Sequence, residues 1–283
     1  MRSIPLLAVD AKEVLESISA AKQAPRDAIL LTAQETILSS YGRYEEAVPE
    51  VGELEKAALT ELQKEAVQHG YTSETLPMVS LRTALLDREC VVRCPFCGIG
   101  ESTTLDHYLP KEKYPEFSVF PKNLVPSCGY CNTRKSDRIL LRGSTVRMFL
   151  HPCFDVIPED IFVVVKARMK GGALALSYTV RRPNGMKLAR FQHLQSHFKE
   201  MNLADRYRRM GLENLGEKYP SLRRAYGNDK DPQRVAKALL EAAGDVAESK
   251  GENYWLVRLY RALAEVEVFC DGGFEIIKPS LAN

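Results

Sequence analysis

The chain has 283 residues, 45% of them apolar and 27% charged, with a net charge of +2. That composition excludes wholesale disorder and gives ample length for a buried core in one large or two ordinary domains. The charge is too small to mark a nucleic-acid binder by itself, so any basic surface must be local. The N-terminal stretch MRSIPLLAVDAKEV lacks the apolar core of a signal peptide, and no apolar run reaches the ~20 residues of a membrane span. Seven cysteines, four at ligand spacing and three scattered (Cys90, Cys153, Cys270), favour a reducing compartment over a disulfide framework. The expectation is a soluble, cytoplasmic protein with no membrane contact.

Residues 1–88 read as a helical N-terminal region. Val14, Leu15, Ile18 and Ala21 recur at helical spacing, as do Ile29, Leu30, Ala33 and Ile37 after Pro25. A third helix is expected from about Glu53 to His69, with Leu54, Ala58, Leu62 and Ala66 on one face and Gly70 as its stop. A fourth covers Ser80–Asp87. Residues 89–150 form a cysteine-bearing module, and residues 151–283 a mostly helical C-terminal region. That region opens with a β-hairpin near 161–182, in which Phe162–Met169 and Ala173–Arg182 flank Lys170-Gly171-Gly172. Helices follow at Leu188–Phe198, Val235–Val246 and Leu256–Val266. The fold class is α+β: a mostly helical chain around a small strand–strand–helix module, with one further hairpin.

The module reads CPFCGIGESTTLDHYLPKEKYPEFSVFPKNLVPSCGYCNTRKSD over residues 94–137. Cys94 and Cys97 supply two thiolates, and Cys128 and Cys131 supply two more after a gap of 30 residues. Four thiolates suit a closed tetrahedral Zn²⁺ site, which holds structure and leaves no open position for chemistry. The chemistry must then fall to what the zinc holds in place. An unmetallated histidine suits deprotonation of a water, and oxygen donors suit a hard divalent cation. Asp106 and His107 are adjacent and offer both, His107 as base and Asp106 as cation ligand. Adjacent residues on a strand point to opposite faces, so a bend would be needed for the two to act together. Asn132 follows the last cysteine and offers an amide oxygen towards Asp106, while Asn123 can bond the backbone of the histidine loop and fix the imidazole.

These residues resemble the HNH endonucleases. The family pattern of Cys-x-x-Cys, Asp-His then Pro, Asn-Leu, and Cys-x-x-Cys then His or Asn is met by Cys94/Cys97, Asp106-His107 with Pro110, Asn123-Leu124, and Cys128/Cys131 with Asn132. The resemblance implies a ββα fold around one catalytic Mg²⁺ or Mn²⁺ held by Asp106 and Asn132, with His107 as general base and Asn123 orienting it. An asparagine where many members have histidine favours magnesium over a soft metal. The run DHYLPKEKYPEFSVFPKNLVPSC with helical flanks is also similar to HNH subunits of bacterial anti-phage systems of the Septu type. That likeness implies a nuclease silent alone and gated by an ATPase partner. The resemblance implies a nucleic-acid substrate, DNA favoured and RNA such as tRNA open. The competing reading is a non-catalytic, zinc-stabilised subunit that binds nucleic acid or protein.

Around the module Lys111, Lys113, Arg134, Lys135 and Arg138 are candidate phosphate contacts. Residues 179–210 form a further basic run, and His193 and His197 sit at the spacing of a helical metal pair without a glutamate between them. Tyr108, Tyr114, Phe117 and Phe120 are expected in the module's core, and Trp255 in the core of the last helix.

Overall fold

The computed structural model describes residues 1–278; the last five of the C-terminal region, 279–283, lie outside the described residues. Where the sequence suggested three segments, the chain divides into two compact units. One is Met1–Ile157 with Gln192–Met201; the other is Pro158–Phe191 with the residues from Asn202 on.

In the first unit, α1 (Ala11–Ala20) starts where the Asp10 carboxylate accepts from the Lys12 and Glu13 amides, which no helical carbonyl can reach. The long α2 (Arg26–Ala47) buries Leu30, Ala33, Ile37, Tyr41 and Tyr44 along one stripe. The third helix is shorter than expected: α3 spans Glu61–Thr72. A capping box sets its start, Thr60 Oγ1 accepting from Gln63 N while Gln63 accepts from Thr60 N. The stretch before it is extended, burying Ala57 and Leu59 while Leu62 stays 63% exposed. Gly70 does not end the helix. It lies inside α3 where a Cβ would stand 3.3 Å from Val119, so its role is close packing. The next helix, α4, spans Leu76–Leu86.

Strands β1 (Thr104–His107) and β2 (Leu124–Ser127) pair antiparallel, with Asp106 opposite Val125 and His107 opposite Leu124. Helix α5 (Gly129–Lys135) follows directly and packs on β1. The 108–123 connection is held by N-terminal helices. Tyr41 stacks on Phe120 at 4.0 Å between centroids, and Tyr44 meets Phe120 and Phe117 edge-on at 5.2 Å. Tyr108, Tyr114, Phe117 and Phe120 are all buried, as expected. A buried Arg147 closes the unit, its guanidinium bidentate to Asp155 (2.7 and 2.8 Å), paired with Glu50 (3.1 and 3.2 Å) and donating to Tyr108 Oη at 2.9 Å.

In the second unit, β3 (Val163–Lys170) and β4 (Ala173–Val180) form the expected hairpin in full register. Gly171 and Gly172 turn it with φ of +57° and +74°, which only glycine adopts without strain. The inward face, carrying Val163, Leu176 and Tyr178, packs on α7 (Leu203–Tyr226) and α9 (Trp255–Ala264). Trp255 is buried there, as expected. Helix α6 (Leu188–Glu200) belongs mostly to the first unit, through Gln192–Met201, while in the second unit α8 (Pro232–Lys250) packs on α9 and α10 (Glu267–Cys270) is a single turn. The periodicity did not reveal α7. Its buried stripe runs Leu203, Tyr207, Gly211, Leu215, Tyr219, Leu222, with a glycine at an apolar position and Pro220 inside the last turns. No helix among the described residues is long and apolar enough to cross a membrane.

At Gly211 a Cβ would stand 3.0 Å from Leu259 and 3.1 Å from the Tyr178 hydroxyl. Alanine gains about 1 kcal/mol in helix propensity, yet overpacking at such contacts costs roughly 1–3 kcal/mol. Gly211→Ala is expected to lower the urea midpoint; a raised midpoint would contradict this packing.

Candidate functional site

The site is built on a knuckle and a helix start. Cys94 N donates to Gly100 O at 2.7 Å, Gly98 N returns to Cys94 O at 2.7 Å, and Gly98 takes a positive φ of 71°. This tight loop turns Cys94 and Cys97 towards one point, and Gly100 N donates to Cys97 Sγ at 3.5 Å. From the other side, Cys128 caps α5 and Cys131 lies in its first turn. All four sulfurs are buried and lie within 4.8 Å of one another, Cys97 and Cys128 at 3.9 Å. A disulfide needs about 2.05 Å, whereas a tetrahedron of 2.3 Å zinc–sulfur bonds has edges of about 3.8 Å. The cysteines are unbridged and fit a zinc ion. So many thiols cannot ionise together without a cation. Hydrogen bonds among them and burial push Cys94 and Cys131 far up, while bonds from Cys131 and Cys94 hold Cys128 down to about 6.

Two clamps hold the knuckle against the rest of the unit. Arg2 N donates to Pro95 O at 2.9 Å, and the Arg2 guanidinium bonds the carbonyls of Cys90 and Arg93. His197 donates from Nε2 to Phe96 O at 2.7 Å and accepts on Nδ1 from Leu150 N at 3.1 Å. Both ring nitrogens are occupied, and burial pushes its pKa down to about 3. His193 donates to Phe149 O at 2.9 Å. The two histidines are thus backbone staples, and the metal pair that their spacing offered is not formed.

Asp106 and His107 leave β1 towards different partners, as strand alternation requires. His107 Nε2 lies 2.9 Å from Ser118 O, and the ring meets Tyr71 edge-on at 4.3 Å. A carbonyl can only accept, so Nε2 carries the proton. Burial pushes the imidazole's pKa down to about 4, with the Ser118 carbonyl opposing, so near neutrality the ring is uncharged and Nδ1 keeps its lone pair. Asn123 fixes the loop beyond: Leu109 N donates to its Oδ1 at 2.7 Å, and its Nδ2 donates to Leu109 O at 3.0 Å and Phe117 O at 3.2 Å. Those three bonds satisfy the buried amide and tie the two ends of the loop around His107.

Asp106 is 2% exposed and faces Lys135 of α5, whose ammonium is 3.0 Å from Oδ2 and 2.7 Å from His107 O. Burial pushes the Asp106 carboxyl up and Lys135 pulls it back. Oδ2 accepts no hydrogen bond of good geometry. A buried carboxylate oxygen with spare capacity is a donor of the hard type that a small divalent cation takes. Asn132 lies on the same side, Nδ2 donating to Thr104 Oγ1 at 3.3 Å, two residues from Asp106 along β1. Among the described residues no hydrogen bond or ion pair joins Asp106 to Asn132, or either of them to the His107 ring.

The expected phosphate contacts are engaged elsewhere. Lys135, 1% exposed, is withdrawn from solvent altogether, because its charge is needed beside Asp106. Lys111 pairs with Glu112 at 2.6 Å and Lys113 with Asp137 at 2.8 Å. Arg138 pairs with Glu200 at 2.7 Å, and Arg134 donates to the Glu200 carbonyl. Ser118, Lys135, Arg147 and His197 were not singled out for these positions by the sequence. Only the Asn-x-x-Lys spacing, which puts Asn132 and Lys135 one helical turn apart, carried a signal for any of them.

Protein ea31 of Escherichia phage lambda is 33% identical over 193 residues, 64% of this chain and 64% of that one. Septu protein PtuB of Bacillus thuringiensis is 33% identical over 84 residues, 29% of this chain and 31% of that one. The chain spans less than two thirds of the length of either relative. No family model and no solved structure matches it. It therefore combines distant, partial similarity to a Septu protein with a four-cysteine cluster fitted to a metal ion.

Removing one partner of a buried ion pair strands the other, at a cost of about 3–5 kcal/mol. Lys135→Met is expected to destabilise the protein by that amount in urea unfolding, and Lys135→Met with Asp106→Asn to recover most of it. A single-variant loss below about 1 kcal/mol would show the pair to be solvated.

Proposed function

We propose that the chain is an HNH endonuclease that hydrolyses phosphodiester bonds of nucleic acid with a divalent metal ion. The observation that carries the reading is the state of His107. Its Nε2–H is committed to Ser118 O, its Nδ1 is free to accept, and it stands beside a buried carboxylate in a frame clamped by four cysteines. A neutral imidazole whose tautomer is fixed from behind is suited to take a proton from water.

In this reading His107 Nδ1 accepts the proton of the attacking water, while Ser118 and Asn123 hold the ring and its loop in position. Asp106 and Asn132 would hold Mg²⁺ or Mn²⁺, which when bound supplies positive charge beside the phosphate and the leaving oxygen. Lys135 draws the Asp106 carboxyl back down against the rise that burial imposes and adds a positive charge at the same place. The cysteine site takes no part in the chemistry, having no open position. The partial likeness to a Septu protein supports the family resemblance, and by that resemblance the chain would act in an anti-phage complex beside an ATPase that gates it, with DNA the favoured substrate and RNA such as tRNA the other. The second reading, a non-catalytic binding subunit, draws on the Asp106–Lys135 pair, which serves folding alone if no cation joins it.

The test is plasmid, single-stranded DNA and tRNA incubated with zinc-loaded protein, with and without Mg²⁺ or Mn²⁺, beside His107→Ala. Cleavage is expected to need the metal and to fall about 10²–10⁴-fold in the variant. Cleavage unaltered in His107→Ala contradicts the mechanism. A folded protein that never cleaves, with or without an ATPase partner, favours the binding subunit.

A further inference from the structure

With the expected phosphate contacts Lys111, Lys113, Arg134, Lys135 and Arg138 engaged, a row of free positive charge has to be sought elsewhere. Residues 161–191 carry seven Lys and Arg and no acidic residue. The β3–β4 ribbon sorts part of that charge onto one surface. Its inward residues pair across the strands as Val165–Tyr178, Ala167–Leu176 and Met169–Leu174, against the helices of the second unit. The alternate positions face out, and there Lys166 stands opposite Ser177, Arg168 opposite Ala175, and Lys170 opposite Ala173. All six are exposed. Arg181, whose amide continues the ladder onto Phe162 O at 2.8 Å, is exposed and in phase with the same face. None of Lys166, Arg168, Lys170 and Arg181 forms an ion pair or a side-chain hydrogen bond among the described residues.

We propose that the outward face of this ribbon binds the phosphate backbone of nucleic acid. Residues two apart on a strand are ~6.8 Å apart, so β3 presents a straight row of three charges at a spacing of the order of successive phosphates on one strand. Beside that row, β4 offers Ala173, Ala175, Ser177 and Thr179, side chains small enough for a bulky strand to lie against and including two hydroxyl donors. A two-stranded ribbon also fits the width of a duplex major groove. The chemistry disfavours other occupants. Of the apolar residues in phase with that face, Phe162 is buried and Val164 half-buried, so it holds no exposed aromatic or large exposed aliphatic group to anchor a protein partner or enter a bilayer. The inference deepens the nuclease reading by assigning where substrate is gripped, but binding is read without cleavage and fails or stands separately.

The experiment measures anisotropy of fluorescein-labelled 30-nucleotide single-stranded and duplex DNA with the full, zinc-loaded chain in buffer without Mg²⁺ or Mn²⁺, across a salt series. The triple variant Lys166→Gln/Arg168→Gln/Lys170→Gln is compared with a control of equal charge change, Lys12→Gln/Lys237→Gln/Lys250→Gln. Each phosphate contact contributes about 0.7–0.9 to the slope of log affinity against log salt, so the ribbon triple is expected to lose about 2 to 3 of that slope and at least tenfold in affinity. The control is expected to keep both. Equal losses in the two triples, or none in the ribbon triple, overturn the proposal. So does a wild-type chain that binds phosphatidylserine vesicles but neither DNA. If binding behaves as expected while no cleavage occurs with Mg²⁺, with or without an ATPase partner, the nuclease reading fails and the ribbon assignment stands.

Discussion

Four buried sulfurs brought within 4.8 Å of one another set the constraint on which the first unit depends. Four thiolates at that distance would repel without a cation, so the cluster fits a metal ion, and structural zinc in small peptides is worth about 10–16 kcal/mol at neutral pH. That interaction fixes the knuckle at 94–97 against the start of α5, and with it the strands between. Two four-residue strands and a seven-residue helix bury too little to stand alone. The remaining support comes from outside: Tyr41 and Tyr44 of α2 against Phe117 and Phe120, Arg147 across Glu50 and Asp155, and His197 on Phe96 O.

Because the four cysteines are gathered on one point, the nitrogen and oxygen groups of the module are spared for other work. His107 is neutral, single-tautomer and pinned from behind by Ser118. Burial pushes the Asp106 carboxyl up and Lys135 pulls it back, reaching it from the last residue of α5 and bonding the His107 carbonyl as well. One lysine thus couples the helix that carries Cys131 and is capped by Cys128 to the strand that carries the acid and the histidine. Such a coupling would be costly to remove, since a lone buried charge is far less favourable than a paired one.

What could be read from the chain was what local spacing encodes. The cysteine pairs, the Gly-Gly hairpin and the strongly periodic helices needed only neighbours a few residues apart. Asn123 was read as bonding the backbone of the histidine loop, and it bonds Leu109, a contact across 14 residues that the turn chemistry of a compact loop makes natural. The start of α3 was misread because apolar spacing outweighed the Thr60–Gln63 box, and α7 was hidden by a glycine standing at a core position. Ionic partners were illegible for a different reason. Arg147 finds Glu50 across 97 residues, and Arg138 finds Glu200 across 62, so whether a cation is free for phosphate depends on neighbours that only the fold supplies. The hairpin cations show the converse, since strand alternation sorts them onto one face wherever the rest of the chain lies.

The division of labour between a closed sulfur site and open nitrogen and oxygen groups is the centre of this account. Zinc K-edge absorption on purified protein, with Asp106→Asn and His107→Ala beside it, tests it most directly. The account predicts four sulfurs at about 2.3 Å and no nitrogen or oxygen neighbour, unchanged in both variants. A nitrogen or oxygen in the zinc shell, or a shell altered by either substitution, would contradict it.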